Sequence, residues 1–435
     1  MRIKILAATV AVAAAFAAPA QAQTEIQWWH SMTGALGEAL DGLATKFNES
    51  QKEYKVNAIY KGSYPESMTA AIGAFRAKNP PHILQVFEVG TATMMAAKGA
   101  IIPISKVMAD AKESFDPKDY LPTVTGYYSD LKGNMLSFPF NSSTALFYID
   151  RNKFKAAGLP PVPPKTWKEL IATAEKLKAA GQDCVYTSGW PSWVHIENFS
   201  AWHNVPIGTK QNGMGGFDTE FKINSPLHVR HVAMLGDMVK KGLFTYAGRG
   251  NQADAKFQSG ECAMATISAG ALAGAIKAGK TDWELSFLPY HDDVKGAPQN
   301  SIIGGASLWV MAGRKPVEYK GVAKFLSFLS KPEIQMGWHT STGYVPITKA
   351  AYELTRSSGF YDKNPGRDTA VKQLTLHAPT ENSKGLRFGN FVQGREVIEE
   401  EMEAVFVGKK DAKTAMNDAV KRGNEILRKF QAANK

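Results

Sequence analysis

From Glu25 onward the chain switches repeatedly between two hydrophobic periods, and this alternation limits the folds open to it more than any other feature. "EIQWW" is a short apolar run, and Leu36, Leu40, Leu43 and Phe47 then recur on one helical face. "YKVNAIY" alternates as a strand does and, after another helix, "HILQVFEV" reads as a buried strand. A strand-helix order of this kind predicts a parallel sheet covered by helices on both faces. A second unit follows Asn141: "TALFYID" as a strand, "NKFKAAG" as a short helix, and "PPVPPKTWKEL" as a stiff connection. That connection ends in Thr166 and Glu169, a capping box opening a helix to Ala180, with Gly181 as its stop. Beyond Gly359 the pattern is mostly helical. Its last helix carries Met416, Val420, Gly423, Leu427 and Phe430 on one face, which needs a preceding domain to cover it. At 435 residues the chain is too long for one core, so two α/β lobes are expected. In such folds ligands settle beyond the carboxyl ends of the strands.

The N-terminus bears on compartment. Arg2 and Lys4 precede an apolar run from Ile5 to Ala18, and Ala20-Gln21-Ala22 has the small-x-small pattern of a signal-peptidase site. Residues 1–22 are therefore read as a signal peptide cleaved after Ala22, giving an exported product that starts at Gln23. Arg2 and Lys4 are the leader's only charges, so its removal takes the formal charge from +11 to +9. The cations are dispersed without interleaved aromatics, so nucleic acid is not an expected partner. Cys184 and Cys262 are the only cysteines, and in an oxidising compartment they read most simply as one disulfide. His228 and His231 share a helical stretch without a nearby carboxylate or thiol, and are expected to be ordinary surface histidines. Neither a metal nor a cofactor is indicated.

Two motif matches fail on context. Gly274, Gly279, Lys280 and Thr281 fit the phosphate-loop expression, but a phosphate loop joins a strand to a helix. Here "AGALAGAIKA" looks helical and "WELSFLPY" looks like the strand, so Gly279 is a helix stop. Ser307 lies between Ala306 and Leu308 and lacks the second glycine of a nucleophile elbow. No catalytic residue is assigned, and Asp292 and Asp293 read as a solvated turn.

The stretch "NSIIGGASLWVM" suits a different task. A phosphate that leaves water needs several short donors in exchange: backbone N–H groups bared by glycine, hydroxyls, and an arginine fork. Ser142, Ser143, Ser268, Gly304, Gly305, Tyr344 and Arg395 are such groups at loop positions, although composition alone would not choose them over other serines and tyrosines.

The order and spacing of "FNSSTALFY", "LQVFEVGTATMMA", "GWPSWVHIENFSAW", "NSIIGGASLWVM", "TGYVPITKAAY" and "GLRFGNFVQGR" carry a resemblance over essentially the whole mature chain. It resembles the glycerol-3-phosphate-binding periplasmic proteins of bacterial ABC importers, within the broad solute-binding family that includes maltose-binding protein. The resemblance implies a two-lobed, type II periplasmic binding protein, each lobe a central sheet flanked by helices with the ligand cleft between them. It places residues 23–139 with 302–350 in one lobe and 140–301 with 351–435 in the other. It also implies a phosphate site of Tyr64, Ser143, Ser268, Gly305, Tyr344 and Arg395, with Glu88 on the glycerol hydroxyls and Trp190 against the carbon chain. Tyr64 and Glu88 precede the first crossing between lobes, while Ser143, Trp190 and Ser268 are placed after it. Trp190 and Trp193 are expected in a loop-like stretch as a partly exposed platform. The implied protein is a periplasmic monomer that makes and breaks no bond. It would deliver glycerol-3-phosphate, or a glycerophosphodiester such as glycerophosphocholine, to a membrane permease with its ATPase subunits. A sugar-binding relative of the same fold and a secreted phosphodiesterase are the alternatives.

Overall fold

The computed structural model describes residues 23–130 and 132–434. The leader and its cleavage site lie outside the described residues. Two mixed sheets organise the rest. The first holds β1 (Thr24–His30), β2 (Tyr54–Tyr60), β3 (Ile83–Phe87), β4 (Ile101–Ile102), β5 (Phe138–Ser143) and β11 (Gly304–Met311). The second holds β6 (Ala145–Asp150), β7 (Cys184–Ser188), β8 (Thr245–Tyr246), β9 (Cys262–Ser268) and β10 (Trp283–Ser286).

The expected parallel order holds for β2-β1-β3 and for β8-β7-β9, where helices return the chain to the same end. It fails elsewhere. β11 runs antiparallel to β3, β4 and β5, and β6 runs antiparallel to β9 and β10. The reason lies in the connection: β11 reaches its sheet from the other lobe rather than through a crossover helix, so nothing fixes it parallel.

Only Thr144 separates β5 from β6, so the chain changes sheets there in a single residue. Ser143 is thus the last residue of the first sheet, not a residue beyond the crossing. The Thr144 hydroxyl bonds the Ser301 hydroxyl at 2.7 Å and the Ile302 carbonyl at 3.0 Å. Those two residues lead into β11, so one side chain ties the outgoing and returning strands together.

Local chemistry follows the sequence where the signals are local. The Thr166 and Glu169 capping box opens the helix Trp167–Ala179, and Gly279 caps the helix Leu272–Ala278 in the left-handed region at φ +59°. Cys184 and Cys262 face each other in register on β7 and β9, with Cα atoms 4.5 Å apart, and are joined as a disulfide. The closing helix Ala412–Ala433 buries Met416, Ala419, Gly423, Leu427 and Phe430, and it packs on the helices Phe391–Phe406 and Pro226–Lys240. None of the described helices is long and apolar enough to cross a membrane.

His228 and His231 depart from expectation. Both are fully buried, in one cluster with His195, His203 and His291 around Phe199 and Trp167. His231 Nε2 lies 3.3 Å from His195 Nδ1, and its Nδ1 lies 3.3 Å from His291 Nε2. The sequence shows the helix but not the aromatic partners that arrive from three other segments.

Candidate functional site

Glycine and serine shape the floor of the cleft where the sheets meet. Gly305 sits at φ +86°, and a Cβ there would lie 1.9 Å from the carbonyl oxygen of Asn141 on β5, so only glycine fits. Gly304 has another role, since a Cβ on it would lie 2.3 Å from the Trp193 ring. It is the surface that this indole packs against, which is more than a bend. Beside them the hydroxyls of Ser143 and Ser268 are 2.7 Å apart, one from each sheet. Ser268 also caps the short turn that follows β9 by accepting the Gly270 N–H at 3.1 Å.

A chain of amides orients one wall. Gln85 accepts the Ser31 N–H at 2.8 Å and donates to Asn141 Oδ1 at 2.9 Å, and Asn141 Nδ2 donates to the Tyr64 hydroxyl at 3.1 Å. The Tyr64 ring stacks on Phe87 with centroids 5.0 Å apart. Tyr344 stacks on Trp338. Burial raises the pKa of both tyrosines, so both remain neutral hydroxyl donors.

Glu88 begins a short turn just beyond the carboxyl end of β3, and Arg395 is on the helix Phe391–Phe406. They meet across the cleft. Arg395 Nη2 donates to Glu88 Oε1 at 2.6 Å and to Glu197 Oε2 at 2.7 Å, while its Nε donates to Glu197 Oε1 at 2.9 Å. All three side chains are buried. Burial alone would lower the arginine's pKa, but the two carboxylates more than reverse this and hold it above the ordinary value. Burial pushes the Glu88 carboxyl up, against the pull of Arg395. Nη1 is left as the one guanidinium nitrogen without a protein partner among the described residues.

Tyr64, Glu88, Trp190, Ser268, Gly305, Tyr344 and Arg395 line one cavity of about 400 Å³, and Ser143 joins them through Ser268. Trp190 has a left-handed backbone at φ +50° and is half-buried. Trp193 is not in a loop: it opens a π-helical turn, Trp193–Asn198, and is buried. A π-turn inserts one residue into a helix, and Glu197, which bonds Arg395, lies within this one. Glu197, Arg249, Asp254 and Glu399 were not singled out in the sequence. "WVHIEN" quotes Glu197 without showing which way it faces, and Glu399 could have been found as the residue one helical turn after Arg395. Four carboxylates, Glu88, Asp254, Glu396 and Glu399, line this cavity against two guanidiniums, Arg249 and Arg395.

Two lobes, a cleft at their junction and inward-facing neutral donors define a binding protein that holds a small solute. The chain belongs to the bacterial extracellular solute-binding protein family, whose model matches residues 42–369. It is 52% identical over 428 residues to the sn-glycerol-3-phosphate-binding periplasmic protein UgpB of Yersinia pseudotuberculosis, covering 98% of this chain and 97% of that one. Its identity to the UgpB of Salmonella typhimurium is 51%, with 98% of each chain covered. In fold it is similar to UgpB of Mycobacterium tuberculosis, solved in complex with glycerophosphocholine. That match has a TM-score of 0.76 and 20% identity, and covers 94% of this chain and 99% of that one. The maltose-bound MalE3 of T. maritima matches with a TM-score of 0.75 at 16% identity, over 92% and 99% of the two chains.

Proposed function

We propose that this protein is the periplasmic solute-binding component of an ABC importer and captures sn-glycerol-3-phosphate, and glycerophosphodiesters such as glycerophosphocholine, in the cleft between its lobes. The observation that carries this reading is full-length identity above one half to proteins named for that ligand, joined to a cavity lined by seven of the eight residues assigned to it. The hydroxyls of Ser143, Ser268, Tyr64 and Tyr344 and the backbone at Gly305 are donors suited to phosphate oxygens. Arg395 has only Nη1 left to offer the ligand, since Glu88 and Glu197 take its other nitrogens, so neutral donors carry most of the anion's solvation. Glu88 accepts from the glycerol hydroxyls and Trp190 covers the carbon chain.

The role is capture and delivery. A ligand held between Glu88 on one lobe and Ser268 and Arg395 on the other favours the closed state, which a membrane permease can read. The protein acts as a monomer in the periplasm after cleavage behind Ala22, and no bond of the ligand is broken. Thermal unfolding of the mature protein tests this. Glycerol-3-phosphate should raise Tm and maltose should not, and glycerophosphocholine should be recovered unchanged after long incubation. A larger shift with maltose would favour the sugar-binding reading instead.

A further inference from the structure

Glu197 stands behind the cleft wall rather than in it. It belongs to the π-helical turn Trp193–Asn198, its side chain is 1% exposed, and it lies outside the lining of the cavity. Both of its oxygens are nevertheless spent on Arg395: Oε1 accepts from Nε at 2.9 Å and Oε2 from Nη2 at 2.7 Å, while the Ser192 hydroxyl donates to Oε1 at 3.0 Å. The guanidinium carbon also lies 5.8 Å from the centre of the Phe87 ring and 5.9 Å from that of Phe391. Arg395 is thus fixed with Nη1 left toward the cavity, and Glu197 supplies two of the three carboxylate bonds that fix it.

The charge of this trio bears on the ligand. One guanidinium and two carboxylates sum to −1 (1 − 2), and the other guanidinium of the cavity, Arg249, is held by Glu403 at 2.9 Å. A phosphate against Nη1 therefore meets a cation that is already overcompensated, in a place shielded from water where like charges repel most strongly. Its remaining partners are neutral: Ser143 and Ser268, with hydroxyls 2.7 Å apart, and Tyr64 and Tyr344, kept protonated by burial. A hydroxyl accepts as well as donates, so these groups can serve a phosphate oxygen that still carries its proton. They cannot neutralise a second negative charge.

We propose that Glu197 is a positioning residue that sets the charge state the cleft selects: acting through Arg395, it favours phosphate with one negative charge over phosphate with two. This rests on the glycerol-phosphate reading above and adds to it the form in which the ligand is held. A phosphodiester carries one charge throughout the neutral range, whereas a phosphomonoester gives up its second proton at a pH of about 6. Glycerol-3-phosphate is then bound with that proton in place and takes one up from solution when it binds above neutrality. The other titratable groups around the trio do not mimic this. Burial keeps Tyr127 and Tyr128 neutral, His195 shares the turn of Glu197 but pairs with Ser188 and His231, and Glu399, on the helix of Arg395, acts on monoester and diester alike.

The test is isothermal titration of the mature protein, refolded to remove carried-over ligand, from pH 6 to 8 in two buffers of different ionisation enthalpy. The probes are glycerol-3-phosphate and glycerophosphocholine. The expected result is that affinity for glycerol-3-phosphate falls at least fivefold relative to glycerophosphocholine across that range, with proton uptake for the monoester alone. Glu197→Gln, which removes one negative charge, should reduce this relative fall to less than twofold. Glu197→Asp keeps the charge and should retain the fall, whatever its effect on the two affinities. A relative affinity that stays level in the wild-type protein, proton uptake equal for both ligands, or a Glu197→Gln profile as steep as wild type would overturn the charge selection while leaving the glycerol-phosphate reading intact. Failure of both ligands to bind the wild-type protein at any pH would overturn both.

Discussion

The guanidinium of Arg395 reaches across the cleft to Glu88 at 2.6 Å while its other edge is gripped by Glu197. One side chain therefore joins the two lobes and sits inside the site. Removing it strands two buried carboxylates, a situation that typically costs about 3–5 kcal/mol. We expect Arg395→Ala to lose that much in urea unfolding at pH 7.5 and to lose most of the thermal stabilisation given by glycerol-3-phosphate. The triple variant Arg395→Ala, Glu88→Gln, Glu197→Gln should recover most of the stability. A triple variant no more stable than the single one would show that the charges are not the cause.

Gly305→Ala tests the floor of the cleft. The left-handed backbone alone costs an alanine about 1–2 kcal/mol, and the Asn141 carbonyl leaves its methyl no room. Since β5 pairs with β11 through Asn141, Ser142 and Ser143 at this point, the damage should spread to the ligand-directed hydroxyls. Calorimetry should show at least a tenfold loss of glycerol-3-phosphate affinity in a variant that still folds. Wild-type affinity would mean that the amide and its neighbours are not used.

The buried histidines fix an acid limit. Burial lowers the pKa of His195 and His203 to about 3 and of His228 and His291 to about 4. Each is neutral in the folded protein and titrates near 6.5 once unfolded, so the stability it contributes is present above 6.5 and is lost as pH falls toward 4. Asp254 and Glu399 run the other way. With folded values of about 8, their contribution is full below the unfolded carboxyl range and is lost as pH rises through 8. Urea midpoints measured from pH 4.5 to 9 should therefore peak near neutrality. A midpoint that stays level from 7 down to 5 would contradict the neutral histidine cluster.

The disulfide ties β7 to β9 over a separation of 78 residues. Closing a loop of that size in the unfolded chain is worth about 2–4 kcal/mol. Reduction, or the pair Cys184→Ser with Cys262→Ser, should lower Tm by several degrees yet leave glycerol-3-phosphate affinity within about threefold, because the site lies at the other end of these strands. A tenfold loss of affinity would show that the crosslink sets the geometry of the cleft.

The sequence was most legible where structure is local. The capping box at Thr166, the stop at Gly279 and the apolar face of the final helix depend on neighbours a few residues away, and each appears as read. What was not legible depends on residues distant in sequence. The direction of β11 is set by its passage through the other lobe, and the burial of His228 and His231 by Phe199, Trp167 and His291. The role of Gly304 is set by the Trp193 indole, more than one hundred positions away. Glu197 was hidden by the π-turn, since a one-residue insertion shifts the face that every later side chain occupies. The site residues came from the order of motifs along the chain, because a serine or glycine carries little periodic signal of its own.

The single-residue passage at Thr144 has a further consequence. Ser143 is the last link of one sheet, Ala145 the first of the other, and Ser143 shares its hydroxyl with Ser268. In the proposed reading Ser143 also receives the solute, so receptor and inter-sheet passage would be one stretch of backbone, and a substitution here would change affinity and the geometry of the junction together.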